Sequence, residues 1–517
     1  MFSNTFRMKL TTNRLKYVYR HLSAHKNAKM QHVTKQQNML HSIIENLGGS
    51  TEQNWQKIRK EILEHQDNNG KYTEMNIDSN VITCCTSLSE YSLGENYFKY
   101  LSTENRQPNL ATLGNFMKLL YFKNRSKLSK TEEDYILKIF REVRNKYKVL
   151  DSITLNNLAL AVSLTKEWRK CLDMLVEIKV SDVPTILTYS AVIAAAFSHK
   201  DEVTAFQLLE ELLAQDKTPY SIVYEAYLNN VRRLRKRENI KLKLEQLFEF
   251  LRENEIICGQ DIVPNILELC GANGTKTTVN YRGVCDHCKN KLEELILSDE
   301  EFHALREALV KKVIIGKDLF LKTNPAELEK FKNFIQNMGK FDVVLDGLNI
   351  AYSAGNKGPN VYPQLIRSVV QHFVDKNKTV LMLGRVHMTN WNKYHWNYIK
   401  QHSSIFLTQN ISHDDPYLLY CALNSGKDTI VVTRDLMRGH KFLLENLRLK
   451  KLFQRWLRQR QYNLVTVKEN GRPIFRAPPP FSAIAQKVNE VWHVPIVSST
   501  ESSTDNFHSK WLCLDIR

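Results

Sequence analysis

Phe341-Asp-Val-Val-Leu-Asp346-Gly-Leu-Asn349 starts as an apolar run too short for a helix and ends in a turn. Its β-branched centre reads as a buried strand, with Asp346 at the point where the strand gives way to the next element. Three further runs have the same character: Thr379-Val-Leu-Met-Leu383, Ser404-Ile-Phe-Leu-Thr408 and Thr429-Ile-Val-Val-Thr433. Helix-like segments alternate with them. That order predicts an α/β domain with a parallel sheet, whose functional groups gather beyond the carboxyl ends of the strands.

Asp346, the Asp414-Asp415 pair and Asp435 each lie at or beside the end of such a run or at the start of the helix after it. A lone Asp there is often a helix cap, and Asp414 or Asp415 can cap the helix through Tyr417–Leu423. Four in matching topological positions imply a shared crevice. Like charges so close are tolerable chiefly around a hard cation such as Mg²⁺, which takes carboxylate and water oxygens. The chemistry that suits such a pocket is metal-assisted hydrolysis of a phosphodiester.

At 517 residues the chain exceeds one core and suggests about three domains. The apolar fraction of 43% is enough for real cores, and the net charge of +18 points to a polyanionic partner, nucleic acid before membrane. No apolar run is long enough to span a bilayer, so no membrane insertion is expected. Residues 1–44 hold no Asp or Glu but carry Arg7, Lys9, Arg14, Lys16, Arg20, Lys26, Lys29 and Lys35. This basic leader, taken as 1–45, reads as a mitochondrial presequence, with an RNA-binding arm as the alternative.

From about Val81 to Phe250 the apolar pattern is helical and repeats. Thr154-Leu-Asn-Asn and Thr188-Tyr-Ser-Ala stand 34 residues apart, Pro184 and Pro219 each open a helix pair, and Pro108-Asn-Leu-Ala-Thr112 begins alike. Such periods signal stacked helical hairpins. The openings resemble the pentatricopeptide family, in which small polar residues early in the first helix face single-stranded bases. Asn115, Asn156, Asn157 and Ser190 hold those places here, with helix-start or capping roles as the alternative. The irregular spacing between units argues against a strict base-by-base code.

Nine cysteines in so long a chain do not make a disulfide framework. Cys285-Asp-His-Cys288 is different: it lies among turn residues, before a helix expected from Asn290, and can aim two thiolates at one ion. It lacks the strand-then-helix setting of a redox pair, and His287 points away from the shared turn. Cys270, His303, His493 and Cys513 are all open as the remaining ligands.

Asp346-Gly-Leu-Asn349, Asp414-Asp-Pro-Tyr-Leu-Leu-Tyr420 and Thr433-Arg-Asp-Leu-Met-Arg438-Gly-His440 together resemble the metallonuclease domain of protein-only RNase P, most nearly its animal mitochondrial form. With the helical array and the Cys-x-x-Cys, the resemblance covers most of residues 80–517. It implies an NYN/PIN-like nuclease that uses Mg²⁺, as a pair of ions replaceable by Mn²⁺, to cut the 5′ leader from precursor tRNA by metal-activated water. A 5′-phosphate is left on the mature tRNA. Carried over by position, Asp346, Asp414, Asp415 and Asp435 become the catalytic metal ligands, and Cys285, Cys288, His493 and Cys513 the ligands of one structural Zn²⁺. The resemblance also implies a tRNA methyltransferase and a short-chain dehydrogenase as companion subunits, and the mitochondrial matrix as location. Where the family usually has Arg-Asp-His, this chain has Arg438-Gly439-His440, a change expected to spare activity and to touch local loop order.

The expected organisation is a leader (1–45), a helical-repeat RNA-binding domain (46–268), a zinc-binding central domain split between 269–300 and 485–517, and a nuclease domain (301–484). Asn349 is a candidate for support behind the metal ligands, and Arg434, Arg438 and His440 for phosphate contact. Two rival readings are a related nuclease acting on other RNA and a non-catalytic organellar RNA-binding factor.

Overall fold

The structure is a computed structural model that describes residues 40–43, 55–65, 70–310, 325–355, 358, 360–408, 415–435, 444, 446–496 and 510–516. Asp414, Arg438 and His440 lie outside these residues, as does the leader up to residue 39, and Asp415 is described only as the first residue of a helix. The chain divides into two compact units, one of residues 1–212 with Ile222–Asn230, the other of Leu213–Ser221 with Val231–Arg517. Among the described residues no helix is long and apolar enough to cross a membrane.

The first unit is an array of helical hairpins, including Ile77–Ser87 with Tyr91–Thr103, Leu110–Asn124 with Lys130–Lys146, Ser152–Val162 with Lys170–Ser181, and Ile186–Ser198 with Glu202–Ala214. The first helices share one start. Asn109, Asp151 and Thr185 cap them, their side chains accepting from the backbone N–H of Thr112, Thr154 and Thr188 at 2.9, 2.9 and 3.1 Å. Each of those threonines is buried. The repeat seen in sequence is therefore a capping repeat as well as an apolar one. Ion pairs Arg144–Glu177 and Arg169–Asp201 join successive hairpins with a similar offset.

The second unit contains two sheets. Its larger sheet runs β4-β3-β2-β5-β6-β7, from β2 (Val343–Asp346), β3 (Val380–Arg385), β4 (Ser404–Thr408), β5 (Ile430–Val432), β6 (Gln461–Val467) and β7 (Pro473–Arg476). Strands β2 to β6 pair in parallel, but β7 returns antiparallel, so the expected parallel sheet is mixed at one edge. Alternation decides which side each strand residue serves. Val343, Leu345 and Met382 meet the helices Val361–Val374 and Lys393–His402. Val344, Leu381 and Val431 meet Asp299–Leu309, Asp415–Ser425 and Leu447–Arg460. Burial on both faces explains why these strands read as unbroken apolar runs.

The smaller sheet is antiparallel, in the order β1-β10-β9-β8, from β1 (Gly274–Thr278), β8 (Gln486–Val488), β9 (Val491–Pro495) and β10 (Lys510–Asp515). Chain segments more than two hundred residues apart thus share one ladder. The helix expected from Asn290 is absent. Residues 290–297 form no helix, and helix begins at Asp299 behind a Ser298 capping box. The segment's backbone is satisfied elsewhere: Glu293 N–H donates to Gln486 Oε1 (3.0 Å), Leu295 N–H to Ser482 Oγ (3.0 Å), and Leu292 N–H to the Gly283 carbonyl (2.8 Å). These tertiary bonds override helix propensity.

Candidate metal centres

Asp346 ends β2 and caps the short helix Gly347–Ala351, its Oδ1 accepting from Asn349 N–H at 3.0 Å. Chain reversal at this point needs Gly347. A Cβ there would lie 2.6 Å from the Leu383 carbonyl oxygen and 2.7 Å from Met382 Sδ, so no side chain fits without displacing β3. Leu345 pairs with Val432 across the β2–β5 ladder, which sets Asp346 beside Thr433. The Thr433 hydroxyl donates to Asp346 Oδ2 at 2.9 Å and accepts the Asp435 N–H at 3.1 Å. Asn349 Oδ1 accepts the Arg434 N–H at 3.0 Å, and the Arg434 guanidinium donates to the Ser353 carbonyl at 3.3 Å. Gln461, the first residue of β6, donates through Nε2 to the carbonyls of Thr433 (3.0 Å) and Asp435 (2.6 Å).

Asp346, Asn349, Arg434 and Asp435 are therefore gathered at the carboxyl ends of two neighbouring strands. Asp346 is half-buried, and the Asp435 side chain is exposed. The two carboxylates offer hard oxygen donors of the kind a divalent cation like Mg²⁺ takes. Asn349 is held in a turn and to Arg434, behind the carboxylates. Sequence reasoning did not single out Thr433 or Gln461 as participants. Thr433 stood inside a quoted motif, but nothing in its type or spacing marked its hydroxyl as the link.

The other centre is a knuckle. Cys285 N–H donates to the Asn290 carbonyl (2.9 Å), and Lys289 N–H to the Cys285 carbonyl (3.0 Å) with Lys289 at φ 63°. This turns both sulfurs to one side. Cys513 pairs directly with His493 across β10–β9, and the four ligand atoms of Cys285, Cys288, His493 and Cys513 all lie within 4.8 Å of one another. Cys288 Sγ is 3.1 Å from His493 Nε2. A tetrahedral zinc with sulfurs at about 2.3 Å has ligand atoms roughly 3.8 Å apart, so this cluster needs little movement to close on an ion. Cys285, His493 and Cys513 are buried.

The electrostatics fit a cation too. Burial holds the His493 imidazole down to about 4, leaving it neutral and able to ligate. Burial works against ionisation of Cys285, but the Cys288 N–H and the Thr277 hydroxyl outweigh it and hold this thiol below its ordinary value. Burial and the neighbouring thiols push Cys288 and Cys513 up. Three thiolates at this separation coexist only around positive charge. Cys270 is buried against Gly274, and His303 lies beside Arg306, so neither belongs to the cluster.

Of the base-contact candidates, Ser190 is fully buried, and Asn156 and Asn157 nearly so. Asn156 Oδ1 accepts the Thr185 N–H (3.0 Å) and the Thr188 hydroxyl (2.6 Å), tying one hairpin to the start of the next. Asn157 Nδ2 donates to Asn115 Oδ1 (3.2 Å), and Asn115 Nδ2 to Thr83 Oγ1 (2.9 Å). Asn156 and Asn157 thus spend polar groups on bonds between neighbouring hairpins. Asn115 also lines a cavity of about 420 Å³ with Lys118, Phe122 and Arg125.

A doubly wound sheet with carboxylates at its rim, a Cys₃His knuckle and a helical-repeat array together define a class of multidomain metallonuclease. The model of the Protein-only RNase P family matches residues 279–513. The mitochondrial ribonuclease P catalytic subunit of Mus musculus is 29% identical over 392 residues, covering 73% of this chain and 66% of that protein. Proteinaceous RNase P 3 of Arabidopsis thaliana is 30% identical over 253 residues, covering 46% and 42%. The crystal structure of nuclear proteinaceous RNase P 2 from A. thaliana superposes with a TM-score of 0.59 at 17% identity, over 85% of this chain and 99% of that one, and shares the fold. The chain is thus similar to protein-only RNase P proteins over residues 279–513 and, in fold, beyond them. It spans about two thirds of the length of the mouse relative.

Proposed function

We propose that this protein is an Mg²⁺-dependent endoribonuclease that removes the 5′ leader from mitochondrial precursor tRNA, leaving a 5′-phosphate on the mature tRNA. The observation that carries this reading is that the Asp346 carboxylate and the Asp435 backbone N–H share one hydroxyl, Thr433 Oγ1, at the ends of adjacent parallel strands. The family model matching residues 279–513 and the names of the mouse, rat and plant relatives support the reaction assigned.

In this reading Asp346 and Asp435 hold the ions directly, and Asp414 and Asp415, the latter the first residue of the helix Asp415–Ser425, complete the set, at least one of them through metal-bound water. A bound divalent cation supplies Lewis acidity at the phosphate and lowers the pKa of water; a pair of Mg²⁺ ions is proposed, with Mn²⁺ as a working substitute. Arg434, Arg438 and His440 contact phosphates of the RNA, so affinity falls steeply with salt. Asn349 fixes the turn behind Asp346 and, through Arg434 N–H, the turn carrying Asp435.

Zn²⁺ is proposed at Cys285, Cys288, His493 and Cys513. There it ties the end of the chain to the knuckle and stabilises a split central domain of 269–300 and 485–517, between a repeat domain of 46–268 and a nuclease domain of 301–484. The proposed partners are the tRNA methyltransferase and short-chain dehydrogenase subunits, and the proposed location is the mitochondrial matrix.

The test is incubation of full-length protein with a mitochondrial precursor tRNA and Mg²⁺, with and without both partner subunits, followed by mapping of product ends. The expected result is one cut at the leader junction with a 5′-phosphate on the tRNA. Cuts elsewhere, or no cut when both partners are present, would overturn the reading.

A further inference from the structure

The turn Thr433-Arg434-Asp435 is held through five of its six backbone polar groups. Thr433 N–H donates to the Tyr462 carbonyl (3.2 Å), Arg434 N–H to Asn349 Oδ1, and Asp435 N–H to Thr433 Oγ1. On the acceptor side, the carbonyls of Thr433 and Asp435 share the amide of Gln461. Gln461 is itself buried, and Thr433 is 1% exposed. An exposed turn ordinarily leaves such groups to water. Here a buried side chain from the next strand takes both carbonyls.

The Thr433 hydroxyl has one hydrogen and two lone pairs. Its hydrogen goes to Asp346 Oδ2, so the N–H of Asp435 must be received on a lone pair. One oxygen therefore measures the offset between the two aspartates, linking the carboxylate of one to the backbone of the other. The helix Leu447–Arg460, which leads into Gln461, is held in turn: Glu255, nearly buried, accepts from Arg455 Nε at 3.0 Å and from Arg458, and Lys451 donates to Asn254 Oδ1 at 2.7 Å.

We propose that Thr433 and Gln461 are positioning residues that preset the spacing of Asp346 and Asp435 for a shared divalent cation. The proposal rests on the reading of those aspartates as metal ligands. Residues one bond removed from ligands commonly govern metal affinity by about 10–100-fold, and preset donors avoid the ordering cost that mobile ones carry.

The experiment measures Mn²⁺ binding to the full chain by electron paramagnetic resonance of the free ion, alongside leader cleavage as a function of Mg²⁺. Thr433→Val, equal in shape but without the hydroxyl, and Gln461→Met are each expected to weaken Mn²⁺ binding about tenfold. Both should raise the Mg²⁺ needed for half-maximal cleavage in parallel, with precursor-tRNA affinity unchanged. Thr433→Ser, which keeps the hydroxyl, is expected to bind Mn²⁺ like the unmodified protein, separating loss of the bond from loss of the fold. Unchanged Mn²⁺ affinity in Thr433→Val and Gln461→Met would overturn the proposal, even with cleavage of precursor tRNA intact in the unmodified protein. Weakened Mn²⁺ binding in a protein that cuts no precursor tRNA would instead leave the positioning role standing and sink the assigned reaction.

Discussion

The Cys285, Cys288, His493 and Cys513 cluster is mostly buried and has all four donor atoms drawn together by a knuckle and an antiparallel ladder. Asp346 and Asp435 instead stand half-buried and exposed at the rim of a parallel sheet, the carboxylate of one and the backbone N–H of the other sharing the Thr433 hydroxyl. The first arrangement suits an ion that never leaves and never meets substrate; a complete ligand shell leaves no place for one. The second suits an ion that must keep coordination positions for water and phosphate. Burial and donor type, more than donor number, separate the proposed structural centre from the proposed reactive one.

Removing one thiolate should break the comparison most severely. Cys513→Ser is expected to drop zinc content from one per chain to none, by elemental analysis, and to destabilise the central sheet by about 4 kcal/mol or more in thermal or chemical melts. Cleavage would fall along with folded protein, since β10 joins two distant segments. A variant that loses zinc and melts unchanged would show that the ladder needs no ion.

Gly347→Ala probes the reactive side. The new methyl meets the Leu383 carbonyl at 2.6 Å, and overpacking of this kind costs about 1–3 kcal/mol. Zinc content should be untouched while cleavage drops, because the cap that aims Asp346 must shift. Equal activity and equal melting temperature would mean that the turn is softer than its contacts imply.

Acid gives the mildest contrast, measured on protein stripped of zinc. His493 is near 4 when folded and near its ordinary 6.5 when unfolded. Between those values the unfolded chain binds the extra proton, so stability rises with pH across the window. It is fully present above about 6.5 and lost progressively as pH falls towards 4. His493→Gln should flatten this slope in melts taken along that range; an unaltered slope would exclude the imidazole as its source.

The strands could be read from sequence because burial on both faces leaves a strong local signature: Ser404–Thr408 was delimited to the residue, and Thr429-Ile-Val-Val contained β5. The helix expected from Asn290 failed because its alternative partners, Ser482 and Gln486, lie almost two hundred residues away. Asn156 and Ser190 hold the places that the family resemblance assigns to base contact or that helix capping would fill, yet the stacking of hairpins buries that position, which no single repeat reveals. For the knuckle, spacing supplied Cys285 and Cys288 alone. His493 and Cys513 followed from family resemblance, since their pairing depends on strand register. Gln461 carried no local signal at all.

The central claim is that carboxylates at the rim of the larger sheet carry the cleavage, independently of the thiolate site. Its most direct test is single-turnover cleavage of a precursor tRNA by Asp346→Asn in saturating Mg²⁺, with RNA affinity and zinc content measured on the same preparation. The account predicts a rate lower by about a thousandfold, equivalent to roughly 4 kcal/mol in the barrier, with RNA binding and zinc unchanged. Cleavage at the unmodified rate, at the same junction, would contradict it.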